Sequence, residues 1–96
     1  QAALAIAELA GSKFTWCGMP PVNEAEWFDI EVQVRAHGEA LPASAAVVEG
    51  ELVIRLKEPL IGVAPGQTAV LYVGTRVLGQ TTIDRTVSAV PVGAGE

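Results

Sequence analysis

The basic residues of this chain are the first candidates for chemistry, because several of them occur at alternate positions. Arg55 and Lys57 are two residues apart, and so are Arg35 and His37. Residues two apart on a β-strand project from the same face. Each pair could therefore meet a phosphate group, and Arg76 is a further candidate.

The alternative interpretation is that each of these cations, and Arg85 as well, is an exposed and hydrated side chain with no binding role. Acidic residues at Glu31, Glu51 and Glu58 could balance them on a solvent-facing exterior. The formal net charge is −5, with a pI near 4.7. A free-standing nucleic-acid binder shows the opposite balance, since phosphate contacts supply most of its affinity. Any contact with nucleic acid therefore has to use a local patch.

Two tryptophans, Trp16 and Trp27, flank a proline-containing loop, and their rings could stack on unpaired bases. The alternative is that the aromatic residues are the largest members of a hydrophobic core. Core packing is the stronger interpretation for Phe28 and Tyr72. Trp16 and Trp27 remain candidates for an exposed stacking surface.

Nothing in the sequence predicts a catalytic or metal site. Paired carboxylates, metal-ligand spacing and a Ser/His/Asp set do not stand out with any specificity. Cys17 is the single cysteine, which excludes an internal disulfide and is compatible with a reducing cytoplasm. We interpret it as a small apolar residue at a strand end rather than as a nucleophile. The apolar runs are shorter than the roughly 20 residues of a membrane span.

The elements that must position these side chains are strands. From Trp27 to Ala36, apolar and polar residues alternate, which predicts a strand with one buried face. The stretch from Glu51 to Lys57 repeats the pattern, and only Val53 breaks its polar side. Ala43 to Val48 is predicted to pair with it through a tight turn at Glu49-Gly50.

The second half of the chain is punctuated by turn residues. Pro65-Gly66-Gln67 has the type II pattern of proline followed by glycine, and Gln67 is expected to tie down its own loop rather than bind RNA. We expect the apolar run Thr68–Val73 that follows to be buried on both faces. Gly74-Thr75 predicts a hairpin into Arg76–Asp84, and Thr86–Val90 predicts a last short strand.

The first segment is ambiguous, because its alanines also favour helix. We predict two short extended pieces, Ala2–Ala10 and Phe14–Trp16, followed by a loop over 18–26. Six or more short strands with turn signals between them indicate an all-β sandwich or small barrel, of which we favour the barrel. We expect one domain over residues 1–96, with flexible ends at 1–3 and 91–96.

One family has a similar sequence. The residues from Ala64 to Tyr72, with Arg76-Val77-Leu78-Gly79 and Ile83 after them, resemble the C-terminal domain of bacterial tRNA-specific 2-thiouridylases. Trp16, Ile30–Arg35 and Leu41-Pro42-Ala43 fit the same family pattern, so the resemblance runs from about Leu4 to Ile83. The chain departs from the pattern at Ala36 and His37, and at Gly79-Gln80-Thr81-Thr82 where the family often has glycines.

The resemblance implies a six-stranded antiparallel-type β-barrel similar to the second domain of translation elongation factors. It implies a cytoplasmic enzyme whose ATP-binding loop and catalytic cysteine pair lie in other domains, so this chain would hold no cofactor. Its partners would be tRNA and the other domains of the polypeptide, with no membrane involved. The turn residues Pro65, Gly66, Gln67, Gly74 and Gly79 would have structural roles.

Two functions are compatible with these residues. The first is an accessory domain that binds and positions tRNA for thiolation of the wobble uridine. The second is a barrel that supports the other domains without touching RNA. The resemblance favours the first and the acidic charge favours the second. A contiguous basic patch on the folded surface would discriminate between them.

Overall fold

A computed structural model of the protein describes residues 5–18, 26–34, 39–61 and 63–88. Within these residues the regular secondary structure is entirely β. The strands are β1 (Ala5–Gly11), β2 (Phe14–Trp16), β3 (Phe28–Val34), β4 (Ala40–Val48), β5 (Glu51–Ile61), β6 (Thr68–Val73), β7 (Arg76–Thr82) and β8 (Arg85–Ser88). The predicted flexible ends, residue 36 and most of the predicted loop lie outside the described residues.

The strands form one antiparallel sheet in the order β2-β7-β6-β3-β4-β5-β1-β8. Its outer members belong to two long bent strands. Trp16 of β2 pairs with Gly79 of β7, and Ala10 of β1 pairs with Arg85 of β8. Ala10 lies six residues before Trp16, and Arg85 lies six residues after Gly79, so the register is the same at both pairs; it shifts only further along, between Ile6 and Glu8. With β1–β2 and β7–β8 each counted as one strand, six strands close into a barrel, as predicted.

The hydrophobic core fills the inside of this barrel. On β3, Ile30, Val32 and Val34 are buried while Asp29 and Glu31 are exposed, which confirms the alternation expected from the sequence. The other buried members of the core are Ile6, Leu9, Ala43, Ala45, Leu52, Ile54, Leu56, Val63, Ala69, Leu71 and Ile83. Burying these side chains supplies the main driving force for folding.

The expectation that β6 is buried on both faces is wrong. Ala69 and Leu71 are buried, but Val70 and Tyr72 are half-buried and Val73 is 49% exposed. A barrel of one sheet has a single inner face, so its outward residues meet solvent even in an apolar strand. Tyr72 accordingly lies outside the core, where its hydroxyl donates a hydrogen bond to Gln33 Oε1 at 2.9 Å.

Two predicted turns have the expected backbone. Glu49 and Gly50 have φ of 51° and 82°, the paired positive values of a type I′ hairpin turn. At Pro65-Gly66 the glycine has φ of 96°, and the Gln67 N–H bonds the Ala64 carbonyl at 3.4 Å. The side chain of Gln67 accepts the Ala64 N–H at 2.9 Å, so it does tie down its own loop.

Both long strands bend at the same level of the barrel. One bends between the end of β1 and the start of β2, and the other bends between the end of β7 and the start of β8. Asp84 bridges this bend: its carboxylate accepts the Ser12 N–H at 2.7 Å and the Ser12 hydroxyl at 2.8 Å. The Asp84 N–H in turn donates to the Ala10 carbonyl at 2.7 Å. The hydrogen bonds from the Ser12 backbone and hydroxyl hold the pKa of Asp84 below the ordinary aspartate value of 3.8.

This lowered pKa gives a pH-dependent contribution to stability. Because ionised Asp84 is favoured in the folded state, its contribution is present above pH 3.8 and is lost as the pH falls through the lower folded pKa. We expect Asp84→Asn to reduce the loss of stability on acidification. Urea midpoints measured from about pH 5 to about pH 2 check this. Glu58→Gln, at an exposed carboxylate without such hydrogen bonds among the described residues, is the control; equal pH profiles for both variants would contradict the assignment.

Candidate nucleic-acid interface

Strand β5 places Arg55 and Lys57 on the outside of the barrel, on one face as the sequence predicts. Strand pairing then puts Arg55 directly between Glu8 of β1 and Ser44 of β4. The residues that gather around Arg55 form what we call the ion-pair face. Its members are Glu8, Trp27, Asp29, Glu51, Arg55, Lys57 and Arg85.

Arg55 is the centre of this face. Its Nε donates to Glu8 Oε1 at 3.2 Å, and its guanidinium carbon lies 4.4 Å from the centroid of the Trp27 ring. That distance is within the range of a cation–π contact. The Trp27 residue is 38% exposed, and the Arg55 side chain is 63% exposed. The two terminal nitrogens of Arg55 have no partner among the described residues.

Arg85 is held much more completely than Arg55. Two of its nitrogens contact the Glu51 carboxylate, Nη2 to Oε1 at 2.8 Å and Nε to Oε2 at 3.3 Å. A third contact joins Nη1 to Glu8 Oε2 at 4.0 Å. The hydrogen bond to Glu51 raises the pKa of Arg85 further, so this side chain is a permanent cation with a structural partner.

The two arginines of this face surround an outward-facing apolar spot. Val53 is only 6% exposed, although it lies outside the main core. Strand pairing places Val53 between Ala46 of β4 and Ala10 of β1. On its other edge, β1 pairs with β8, and there Ala10 is the partner of Arg85. Arginine stems can cover apolar surface while their charged ends stay in water. In the sequence, Val53 is the one apolar residue among the outward-facing polar positions of Glu51 to Lys57. That exception indicated that part of the outer face of β5 is covered.

Lys57 has a weaker partner. Its Nζ lies 3.6 Å from Asp29 Oδ1, and both side chains are largely exposed. An exposed pair of this kind contributes about 0–1 kcal/mol to stability. Lys57 is therefore free to exchange its carboxylate for another anion at little cost.

The remaining predicted site residues are not part of this face. Arg76 is exposed on β7 and forms no ion pair within the described part of the chain. Trp16 is half-buried in β2 and packs on the core, with its ring 5.9 Å from Phe14 in an edge-to-face contact. Arg35 and His37 lie outside the described residues, so their assignments stay predictions.

Of the glycines predicted to have structural roles, one lies in a turn and another lies within a strand. Gly74 begins the predicted β6–β7 hairpin turn. Gly79 lies within β7, where a Cβ atom would overlap the Thr15 carbonyl oxygen of the neighbouring strand. Cys17 follows β2 directly, at the strand end where we placed it; it is exposed, and its N–H donates to the Leu78 carbonyl at 2.7 Å.

The described residues contain no group of three or more histidine, cysteine or acidic side chains placed to hold a metal ion. Within the same ranges, no helix has the length and apolar character needed to cross a membrane.

Comparison with known proteins identifies related sequences. The profile of the aminomethyltransferase beta-barrel domain family matches residues 6–83. A tRNA-specific 2-thiouridylase of Leifsonia xyli is 66% identical over 90 residues, covering 94% of this chain and 25% of the relative. The tRNA-specific 2-thiouridylase of Clavibacter michiganensis is 63% identical over 94 residues, and that of Paenarthrobacter aurescens is 50% identical over 95 residues. The chain thus spans about a quarter of the length of these relatives.

Proposed function

The chain belongs to the aminomethyltransferase beta-barrel domain family and corresponds to the C-terminal domain of tRNA-specific 2-thiouridylases, and from this premise we propose that it binds and positions tRNA. The thiolation of the wobble uridine, the use of ATP and the catalytic cysteines belong in this proposal to the rest of a longer cytoplasmic polypeptide. The barrel is one domain of that enzyme.

The single observation that carries the proposal is Arg55. Its guanidinium is fixed by Trp27 on one side and by Glu8 at Nε, while neither terminal nitrogen has a partner in the described part of the chain. A pre-oriented guanidinium with unused donors suits bidentate contact with a phosphate group. Lys57, two residues away on the same face, supplies a second and weakly held cation.

The charge of the ion-pair face is also compatible with RNA. Three cations and three carboxylates make it neutral, whereas the whole chain has a net charge of −5. The excess negative charge therefore lies on other surfaces. A phosphate backbone therefore meets less repulsion at this face than the average charge of the chain would give, and the bulk of the attraction would come from other domains.

Arg55→Met tests the proposal in the full-length protein. The substitution keeps an apolar stem beside Trp27 and removes the charge and its free donors. We expect affinity for unmodified tRNA to fall about three- to tenfold, and the slope of log K against log salt to drop by about one phosphate contact. Binding of labelled tRNA at several salt concentrations measures both quantities.

Lys13→Met is the matched control, because it also removes one positive charge from an exposed position outside the ion-pair face. We expect it to change affinity little. Equal losses in the two variants would indicate a general charge effect, and unchanged binding by Arg55→Met would remove the RNA assignment from this face.

One observation favours the second function, in which the barrel supports other domains. Every cation of the ion-pair face already has a carboxylate partner within 3.6 Å, so this face is not a contiguous basic patch. Deleting the barrel discriminates between the two functions: intact tRNA affinity with a less stable enzyme would favour the supporting role.

A further inference from the structure

A second surface feature is an open groove of about 290 Å³ on the outside of the barrel. Strands β3, β4, β5 and β6 contribute to it, together with the turn after β6. The side chains that matter for its chemistry are Asp29, Glu31, Pro42, Lys57, Tyr72 and Val73. The groove adjoins the ion-pair face, since Asp29 and Lys57 belong to both.

Glu31 stands at the centre of the groove. Strand pairing puts it directly between Pro42 of β4 and Tyr72 of β6. It is exposed and has no partner among the described residues. Lys57, the one cation among the described lining residues, is paired with Asp29 at 3.6 Å. The groove therefore holds one carboxylate without a cation partner among the described residues. Pro42 forms the largely apolar wall on one side of it, and Tyr72 forms the wall on the other side.

The walls are ordered and partly exposed. The Tyr72 hydroxyl is held by Gln33 at 2.9 Å, which fixes the direction of the ring. Beyond Tyr72, Val73 is 49% exposed, and Val77, the partner of Tyr72 across the hairpin, is 39% exposed. Apolar surface around a charge of one sign is typical of a protein contact, in which the apolar part excludes water and the charge selects the partner.

We propose that this groove docks an arginine-bearing segment from the remaining part of the full-length protein. The arginine stem packs between Pro42 and Tyr72, and its guanidinium binds the Glu31 carboxylate through paired hydrogen bonds. The planar guanidinium can also rest against the Tyr72 ring. This contact goes beyond the proposed RNA contact, although it shares the premise that the barrel is part of a longer enzyme.

Charge and size favour this occupant over others. The carboxylate of Glu31, unpaired among the described residues, would repel a phosphate backbone, which argues against RNA in the groove. A separate protein needs an interface of about 1,000 Å² or more to bind stably. A segment of the same polypeptide needs much less, because its tether gives it a high effective concentration. The relatives are about four times as long as the part this chain matches, which leaves ample chain to supply such a segment.

Glu31→Lys in the full-length protein tests the docking without using tRNA. We expect amide hydrogen exchange of the turn between β6 and β7, over 73–76, to become about tenfold faster, because a charge-assisted pair is lost and a repulsion takes its place. Exchange at Leu71, in the core of the same strand, reports whether the barrel remains folded. The control is Glu58→Lys, which makes the same charge change at an exposed residue outside the groove.

Two outcomes would overturn the proposal. One is the same exchange at 73–76 in Glu31→Lys, in Glu58→Lys and in the unaltered protein. The other is protection of 73–76 that appears only after tRNA is added, which would place RNA in the groove. Neither outcome depends on the tRNA affinity of Arg55→Met, so the docking and the RNA contact can fail separately.

Discussion

Replacing Leu71 by alanine is expected to lower the free energy of unfolding by about 2–5 kcal/mol, the cost of a large-to-small change in a well-packed core. Leu71 is fully buried on β6, between Val32 of β3 and Gly79 of β7. The rigid sheet around it cannot collapse into the space that the substitution leaves, so the cavity adds to the lost burial. Urea unfolding followed by tryptophan fluorescence measures the change.

Val73→Ala, on the same strand, is the control for Leu71→Ala. Val73 is 49% exposed, so its truncation should change the free energy of unfolding by about 0.5 kcal/mol or less. A similar loss in both variants would mean that β6 does not have one buried and one exposed face, and the barrel described above would be wrong.

Gly11→Ala is the second substitution with a large expected effect. Gly11 is buried at the bend between β1 and β2, where a Cβ atom would overlap the Thr82 carbonyl oxygen and the Thr81 hydroxyl oxygen. Both obstacles belong to the neighbouring long strand, and one is backbone, so the strands must move apart. We expect a loss of about 3 kcal/mol or more in the free energy of unfolding.

Gly74→Ala separates this steric effect from a backbone effect. Gly74 has φ of 64°, but no atom would lie within 4 Å of an added Cβ. Its replacement should cost about 1 kcal/mol, the penalty for a left-handed conformation alone. If Gly11→Ala cost no more than Gly74→Ala in the same urea experiment, the two long strands would not be in contact at the bend.

Much of the fold follows from local patterns in the sequence. Alternation predicts β3 and β5, and the predicted bounds of β6 agree with the structure. The turns at Glu49-Gly50, Pro65-Gly66 and Gly74-Thr75 are predicted because only a few residue types suit their backbone. Local patterns could not show that β1–β2 and β7–β8 are two long strands, because their pairing joins residues far apart in the chain.

The candidate site is less predictable than the fold. Alternation alone placed Arg55 and Lys57 on one face. The partner of Arg55, Glu8, comes from a segment whose helix or strand character was ambiguous, and its position depends on the pairing of β1 with β5. Arg85 reaches the same face only because the barrel closes. Charges that meet across non-local strand pairs leave no signal at a fixed sequence spacing.

The pairing of Ile6 with Ser88 has a consequence for the order of events during synthesis. The pairing of β1 with β8, which closes the barrel, joins one of the first described residues to one of the last. It therefore cannot form until nearly the whole segment has left the ribosome. Until then, the free edge of β1 can pair with other chains. Contacts this distant in sequence also slow folding. A nascent barrel of this kind therefore remains incomplete, and open to misassembly, until its final strand is made.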